Sequence, residues 1–81
     1  MADSMWAVTA RRPDGGKGRA GEWTYRPDRR IVVRHCGHPT ANRPYYILFN
    51  GEELVNVLGT FSLLAQAQAA AVRHAIKTDG D

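Results

Sequence analysis

Over the first two thirds of the chain, apolar and polar positions alternate in short runs. Met5-Trp6-Ala7-Val8-Thr9-Ala10-Arg11 is rich in β-formers with a rough period of two, which predicts a strand. The breakers Pro13-Asp14-Gly15-Gly16, Gly18 and Gly21 follow and predict a flexible glycine-rich loop over about residues 12–21. Glu22-Trp23-Thr24-Tyr25-Arg26 alternates polar with aromatic or β-branched side chains, as a half-buried strand returning from that loop does. Trp6 and Trp23 are its expected cross-strand or core anchors. Pro27-Asp28-Arg29-Arg30 is turn chemistry, because proline fixes φ and aspartate bonds nearby backbone. The most apolar run so far, Ile31 to Cys36, then predicts a third strand that breaks at Gly37 and Pro39. Pro44 reopens an extended run through Tyr45-Tyr46-Ile47-Leu48-Phe49. Asn50-Gly51 is a hairpin signal, since both residues tolerate the positive φ of a type I′ turn. Leu54 to Leu58 is the expected return strand.

After Gly59 the period changes. Thr60 to Lys77 is dominated by Ala, Leu and Gln, and these predict a helix over about 61–77. Thr60 or Ser62 can cap it, and Lys77 and Gly80 suit its far end. Leu64, Ala67, Ala71, Val72 and Ala75 share one stripe, with Gln66, Arg73, His74 and Lys77 opposite. So alanine-rich a helix buries little by itself and must dock on the strands. The pattern therefore predicts one α+β domain spanning residues 1–81: an antiparallel sheet of three to five strands packed on one C-terminal helix.

The length bounds the chemistry. A chain of 81 residues buries only about 60% of its unfolded surface, and an enclosed substrate cleft is hard to build on that scale. The single cysteine rules out an intramolecular disulfide. No charged segment leads into a long apolar run, so no secretion signal or membrane span is expected and the cytoplasm is the default location. Charge is uneven along the chain. Residues 1–43 hold nine basic side chains against four acids, whereas residues 44–81 hold Arg73 and Lys77 against Glu52, Glu53, Asp79 and Asp81. A surface made by the first half would attract nucleic acid or an acidic protein patch; a merely solvated face is the competing reading.

Four constellations bear on function. Cys36 and His38 form one pair of zinc-type donors, and His74 would have to join them from the helix, but a tetrahedral site needs about four ligands and no second pair exists. No metal is expected, and Cys36 reads as a buried, inert thiol at a strand end, with His35 on the opposite face. Cys36 as a nucleophile would also need an oxyanion site and a cleft. Gly15-Gly16-Lys17-Gly18 lacks the Ser/Thr and the following helix of a phosphate loop; if it binds anything, Arg11, Arg12, Lys17 and Arg19 would clamp phosphates without reading sequence. The best binding set is Arg26, Arg29, Arg30, Arg34 and Arg43 interleaved with Trp23, Tyr25, Tyr45 and Tyr46, because guanidinium forks grip phosphate or carboxylate and aromatic rings stack or anchor.

Two resemblances extend this reading. Gly59-Thr60-Phe61-Ser62-Leu63 leading from strands into an Ala/Gln-rich helix is similar to the small sheet-plus-helix arm-binding domains of phage-type tyrosine recombinases, over about residues 30–77. Those domains insert their sheet into the DNA major groove, which implies DNA contact at Arg34 and Arg43; Cys36 and His38 stand where they prefer Lys and Gly. The segment Arg34-His35-Cys36-Gly37-His38-Pro39-Thr40-Ala41-Asn42-Arg43-Pro44-Tyr45-Tyr46, with the Phe61-Ser62-Leu63 helix start, resembles short phage and prophage proteins of GC-rich bacteria, among them anti-CRISPR inhibitors of host defence. This likeness implies a single-domain, stoichiometric binder with no cofactor, acting in the host cytoplasm on a protein or ribonucleoprotein complex. With no carboxylate pair, complete metal set or supported nucleophile, the chain is expected to be no enzyme. The alternatives are a small double-stranded DNA-binding accessory protein and, third, a zinc-stabilised interaction module.

Overall fold

The computed structural model describes residues 5–12, 19–38 and 40–80. In chain order these form β1 (Trp6–Arg11), β2 (Ala20–Tyr25), β3 (Ile31–His35), β4 (Tyr45–Phe49), β5 (Glu52–Glu53), α1 (Val55–Leu58), β6 (Thr60–Phe61) and α2 (Leu64–Asp79). The strands run as an antiparallel meander, β1-β2-β3-β4, and both β5 and β6 pair with the outer edge of β4. The expected α+β sheet on one C-terminal helix is present, with six strand segments.

Strand alternation decides which side chains meet the helix. Ile31, Val33 and His35 on β3 stand opposite Phe49, Ile47 and Tyr45 on β4, so those rows share one face. Trp23 lies opposite Val33 and Val8 opposite Trp23, which extends the same face to β1. The helix lays Ala67, Ala71 and Ala75 on Ile31, Val33 and Ile47, and all six are at most 3% exposed. Each of the larger side chains so buried contributes about 1.5–3 kcal/mol, while the alanines let the helix backbone approach the sheet closely. This core sits over β3, β4 and β6.

The turns follow their residues. Asn50 and Gly51 adopt φ of 57° and 82°, as a type I′ hairpin requires. Asp28 accepts the backbone N–H of Arg30 at 3.1 Å and closes the β2–β3 turn. Gly21 answers a closer constraint. The β1–β2 register shifts around Ala10, and a Cβ on Gly21 would stand 2.7 Å from Arg12 Cα and 2.7 Å from Arg12 N. A side chain there would collide with backbone that cannot swing aside.

Three boundaries differ from expectation. Strand pairing reaches Arg11 and Ala20, and the Arg12 N–H donates to the Arg19 carbonyl at 3.0 Å, so the loop is shorter than 12–21 and its residues 13–18 lie outside the described residues. The return strand expected over Leu54 to Leu58 is instead two short pieces, β5 and β6, flanking the single turn α1. The Leu54 N–H makes a last bond to the Ile47 carbonyl, and pairing stops after it because the Leu54 side chain turns into the core and the Leu58 N–H bonds back to the Leu54 carbonyl. Gly59, at φ 77°, releases the chain into β6. Finally, neither Thr60 nor Ser62 caps the helix: Thr60 is paired in β6, and the cap position is Leu63 with no side-chain bond.

Prediction: Gly21→Ala costs about 2–3 kcal/mol by overpacking, whereas Gly51→Ala, with nothing within 4 Å of its added Cβ, costs only about 1 kcal/mol of left-handed strain. Urea midpoints rank the two; a Gly51 variant less stable than the Gly21 variant would contradict the register assigned to β1 and β2.

Candidate functional site

Because the core rows consume one face of the sheet, the intervening residues make the other. Glu22, Arg34, Tyr46 and Thr60 form one row across it, and Ala7, Thr24, Val32, Leu48 and Glu53 the next. Both helices lie on the core side, where Leu58 of α1 and the alanines of α2 pack. The far face is therefore the side that neither helix covers; Leu48 is buried within it and Val32 half-buried, and around them it carries hydroxyl, guanidinium and phenol groups.

Its most open chemistry lies toward the β2–β3 turn. A groove of about 510 Å³ is lined by Ala7, Thr9, Thr24, Arg26 and Arg29. The Thr9 and Thr24 hydroxyls are 3.0 Å apart, and Thr9 Oγ1 donates to Glu22 Oε2 at 2.8 Å. Among the described residues no carboxylate forms an ion pair with Arg26 or Arg29. Two guanidinium groups beside hydroxyls make a surface matched to phosphate or carboxylate oxygens.

The neighbouring arginines are engaged inside the molecule. Arg30 Nη2 lies 2.7 Å from Asp28 Oδ2 and 2.7 Å from Asp79 Oδ2, and its guanidinium sits 5.0 Å above the Phe49 ring. It clasps the β2–β3 turn to the last turn of α2, and it depresses the Asp28 carboxyl below its usual range while its own pKa rises. Arg34 bonds Glu22 Oε1 at 2.9 Å. That bond lowers the Glu22 pKa, desolvation opposing it, and Glu22 with Tyr46 raises that of Arg34.

The remaining positions fall elsewhere. Arg11, Arg12 and Arg19 sit at the other end of β1 and β2, where Arg12 Nε donates to the Ala20 carbonyl at 3.2 Å, and Arg43 is exposed in the β3–β4 loop at that same end of the sheet. Five residue steps along β2 separate the two ends, about 17 Å. Lys17 lies outside the described residues. Tyr45 faces the core, its ring centroid 5.8 Å from Trp23 and 5.2 Å from His35, and so leaves Tyr46 as the tyrosine of the open face. Thr9 and Thr24 are the contributors to this face that pattern reading did not single out; their signal was the alternation itself, since Trp23 and Tyr25 pointing inward turns Thr24 outward.

The thiol and imidazoles do not converge. Cys36 is exposed, not buried: Ile31, Val33 and His35 occupy the inward phase of β3, which sends the next residue outward. His35 is buried, and its Nδ1 accepts the Gly37 N–H at 2.8 Å, so that nitrogen carries no proton. His38 Nδ1 is 3.1 Å from Thr40 Oγ1. His74 is not on the solvent side expected of it; its ring meets Phe49 edge-on at 5.6 Å, at the opposite end of β4 from Cys36. Among the described residues no three His, Cys, Asp or Glu side chains are placed to hold a metal. No helix there is long and apolar enough to cross a membrane. No protein family, curated protein or solved structure matches the chain.

Prediction: because the folded-state pKa of Glu22 lies below its unfolded value, its contribution is fully present above the ordinary carboxylate range and is lost as pH falls through the folded pKa. The pair is largely solvent-screened, so Glu22→Gln costs about 0.5 kcal/mol at pH 7 and nothing in strong acid. Thermal melts of both proteins from neutral pH to about pH 2.5 should converge; a constant gap would show that Glu22 does not act through its charge.

Proposed function

We propose that this chain is a non-enzymatic binding protein that grips an anionic surface of its partner with the open face of its sheet. The observation that carries the reading is the groove of Arg26 and Arg29 beside the Thr9 and Thr24 hydroxyls, two cations without a carboxylate partner among the described residues, on the face neither helix covers. Together with the likeness of the Arg34 to Tyr46 segment to short phage proteins, this supports a stoichiometric inhibitor of a host defence complex, one that occupies a position normally held by nucleic acid or an acidic protein patch. The partner is then a host protein or ribonucleoprotein complex, and binding needs no cofactor.

A second reading is favoured by one feature of the geometry. The cationic side chains fall at both ends of β2, about 17 Å apart, a separation of about five base-pair steps at about 3.4 Å each, so two clusters can meet phosphates that far apart on a duplex. A double-stranded DNA-binding accessory protein would use the same Arg26 and Arg29 together with Arg19 and Arg43. Such contacts position a protein on the backbone without reading bases.

Prediction: fluorescence anisotropy of a mixed-sequence duplex at about 50 and about 200 mM salt separates the two readings. Direct DNA binding should be tight at the lower salt and collapse at the higher, with Arg26→Ala plus Arg29→Ala flattening the log-log slope by about 0.9 per lost phosphate contact. The inhibitor reading expects weak duplex affinity at both salts, and a host complex retained at one-to-one stoichiometry by the wild type and released by the double variant. A complex held equally well by both proteins would remove the groove from either account.

A further inference from the structure

The single turn α1 carries β-forming residues away from the sheet. Leu54 enters the core, and the helical turn that follows leaves Val55 39% and Val57 70% exposed, the latter the most exposed large apolar side chain among the described residues. Beside it runs one stripe of α2. Ala70, Arg73, His74, Lys77 and Thr78 follow one another at helical spacing and so share a side of the helix. With Val57 and Leu58 they line a groove of about 510 Å³. Its chemistry is divided: Val57, Leu58 and Ala70 are apolar, Arg73 and Lys77 are cationic, and no carboxylate lines it. Among the described residues neither cation has an ion-pair partner, since Asp79 is committed to Arg30, and Glu52 and Glu53 on β5 form no salt bridge. His74 is already engaged, its Nε2 3.5 Å from Thr78 Oγ1 and its ring against Phe49.

We propose that this groove docks a short acidic segment of a partner protein, with one large aliphatic side chain against Val57, Leu58 and Ala70 and carboxylates on Arg73 and Lys77. It stands apart from the arginine groove of the open face, because it lies on the helix side of the sheet. Charge selects the occupant. A basic segment would be repelled by two uncompensated cations, and a neutral apolar one would cover them without partners; an acid-bearing segment complements both halves of the groove. Spacing narrows the choice further. Arg73 and Lys77 lie one helical turn apart, about 6 Å along the axis, and alternate residues of an extended segment are about 6.6 Å apart with their side chains on one side. Two acids separated by one residue, next to an aliphatic side chain, therefore meet both cations. Nucleic acid would gain only the two charges, because the apolar part is aliphatic and the one ring in the groove is already held against Phe49, which leaves a base no platform to stack on. A membrane is no better matched: the apolar stripe of α2, Ala67, Ala71 and Ala75, is spent on the sheet, so the helix has no such face to insert.

The test is selection of displayed random peptides on the immobilised full chain, followed by anisotropy titration of the best peptide carrying a fluorescent label. Selected sequences should combine a large aliphatic residue with acids two positions apart, and the dissociation constant should rise several-fold between about 50 and about 300 mM salt. Val57→Asp should weaken binding at least about 10-fold by placing a carboxylate at the apolar anchor. Arg73→Glu plus Lys77→Glu should do the same and, in a fresh selection, return basic peptides. Val8→Glu, an exposed change on β1, should leave the affinity as it was. All four positions are exposed, and circular dichroism checks that each variant keeps the fold. No enrichment over the Val57→Asp protein overturns the proposal, and so does selection of peptides without acids. Binding to phosphatidylserine vesicles or to a DNA duplex that is lost with Arg73 and Lys77, where no peptide is selected, overturns it in favour of those ligands.

Discussion

A single long helix set against a wide sheet is the constraint from which the rest of this structure follows. The alanine stripe of α2 allows close approach, but its reach is about two strands. The chain uses that reach at β3 and β4, where Ile31, Val33 and Ile47 are all but inaccessible. The β1–β2 hairpin lies outside the helix's shadow and is held by its ladder to β3 and by ring contacts, Trp6 with Tyr25 at 5.0 Å and Trp23 with Tyr45 at 5.8 Å. Aromatic pairs of this kind contribute about 0.5–1.5 kcal/mol beyond their burial. Trp6, Trp23 and Tyr25 are thereby half-buried against the core, and the two faces of the hairpin differ in chemistry: hydroxyl and guanidinium on one, apolar on the other.

Which arginines remain available is decided by acids far away in sequence. Arg30 meets Asp79 across 49 residues and Arg34 meets Glu22 across 12. Neither pairing changes the net charge, yet together they convert two of the basic residues of the first half into internal ties. Arg26 and Arg29, flanking the same turn as Arg30, gain no carboxylate partner among the described residues. The basic excess of residues 1–43 thus resolves into ties within the fold and a smaller set of cations at the two ends of the sheet.

Legibility in the sequence followed the range of the interactions involved. Asn50-Gly51 needs only its own backbone preferences, and the hairpin is where those preferences put it. The helix announces itself through local propensity and through the Ala67, Ala71, Ala75 spacing. Ile31, Val33 and His35 show a clean period of two, which was enough to turn Cys36 outward had the phase been followed past the strand's end. What failed was non-local. Val55 and Val57 are β-formers by residue type, but Leu54 is drawn into the core and its carbonyl is taken by the Leu58 N–H, and this tertiary pull overrides propensity. The same holds for the open face: that Tyr46 and not Tyr45 shares it with Arg34 depends on the β3–β4 register, and Arg30's role depends on where α2 ends.

The two faces of the hairpin are joined through β2, where Trp23 and Tyr25 point inward and Thr24 points outward. A contact on one side therefore bears on the other. Trp23 and Tyr25 pack on the core and so fix the strand whose outward residues, Thr24 and Arg26, line the arginine groove. A backbone already held from its inward side leaves less ordering to be lost when an anionic surface meets the outward side.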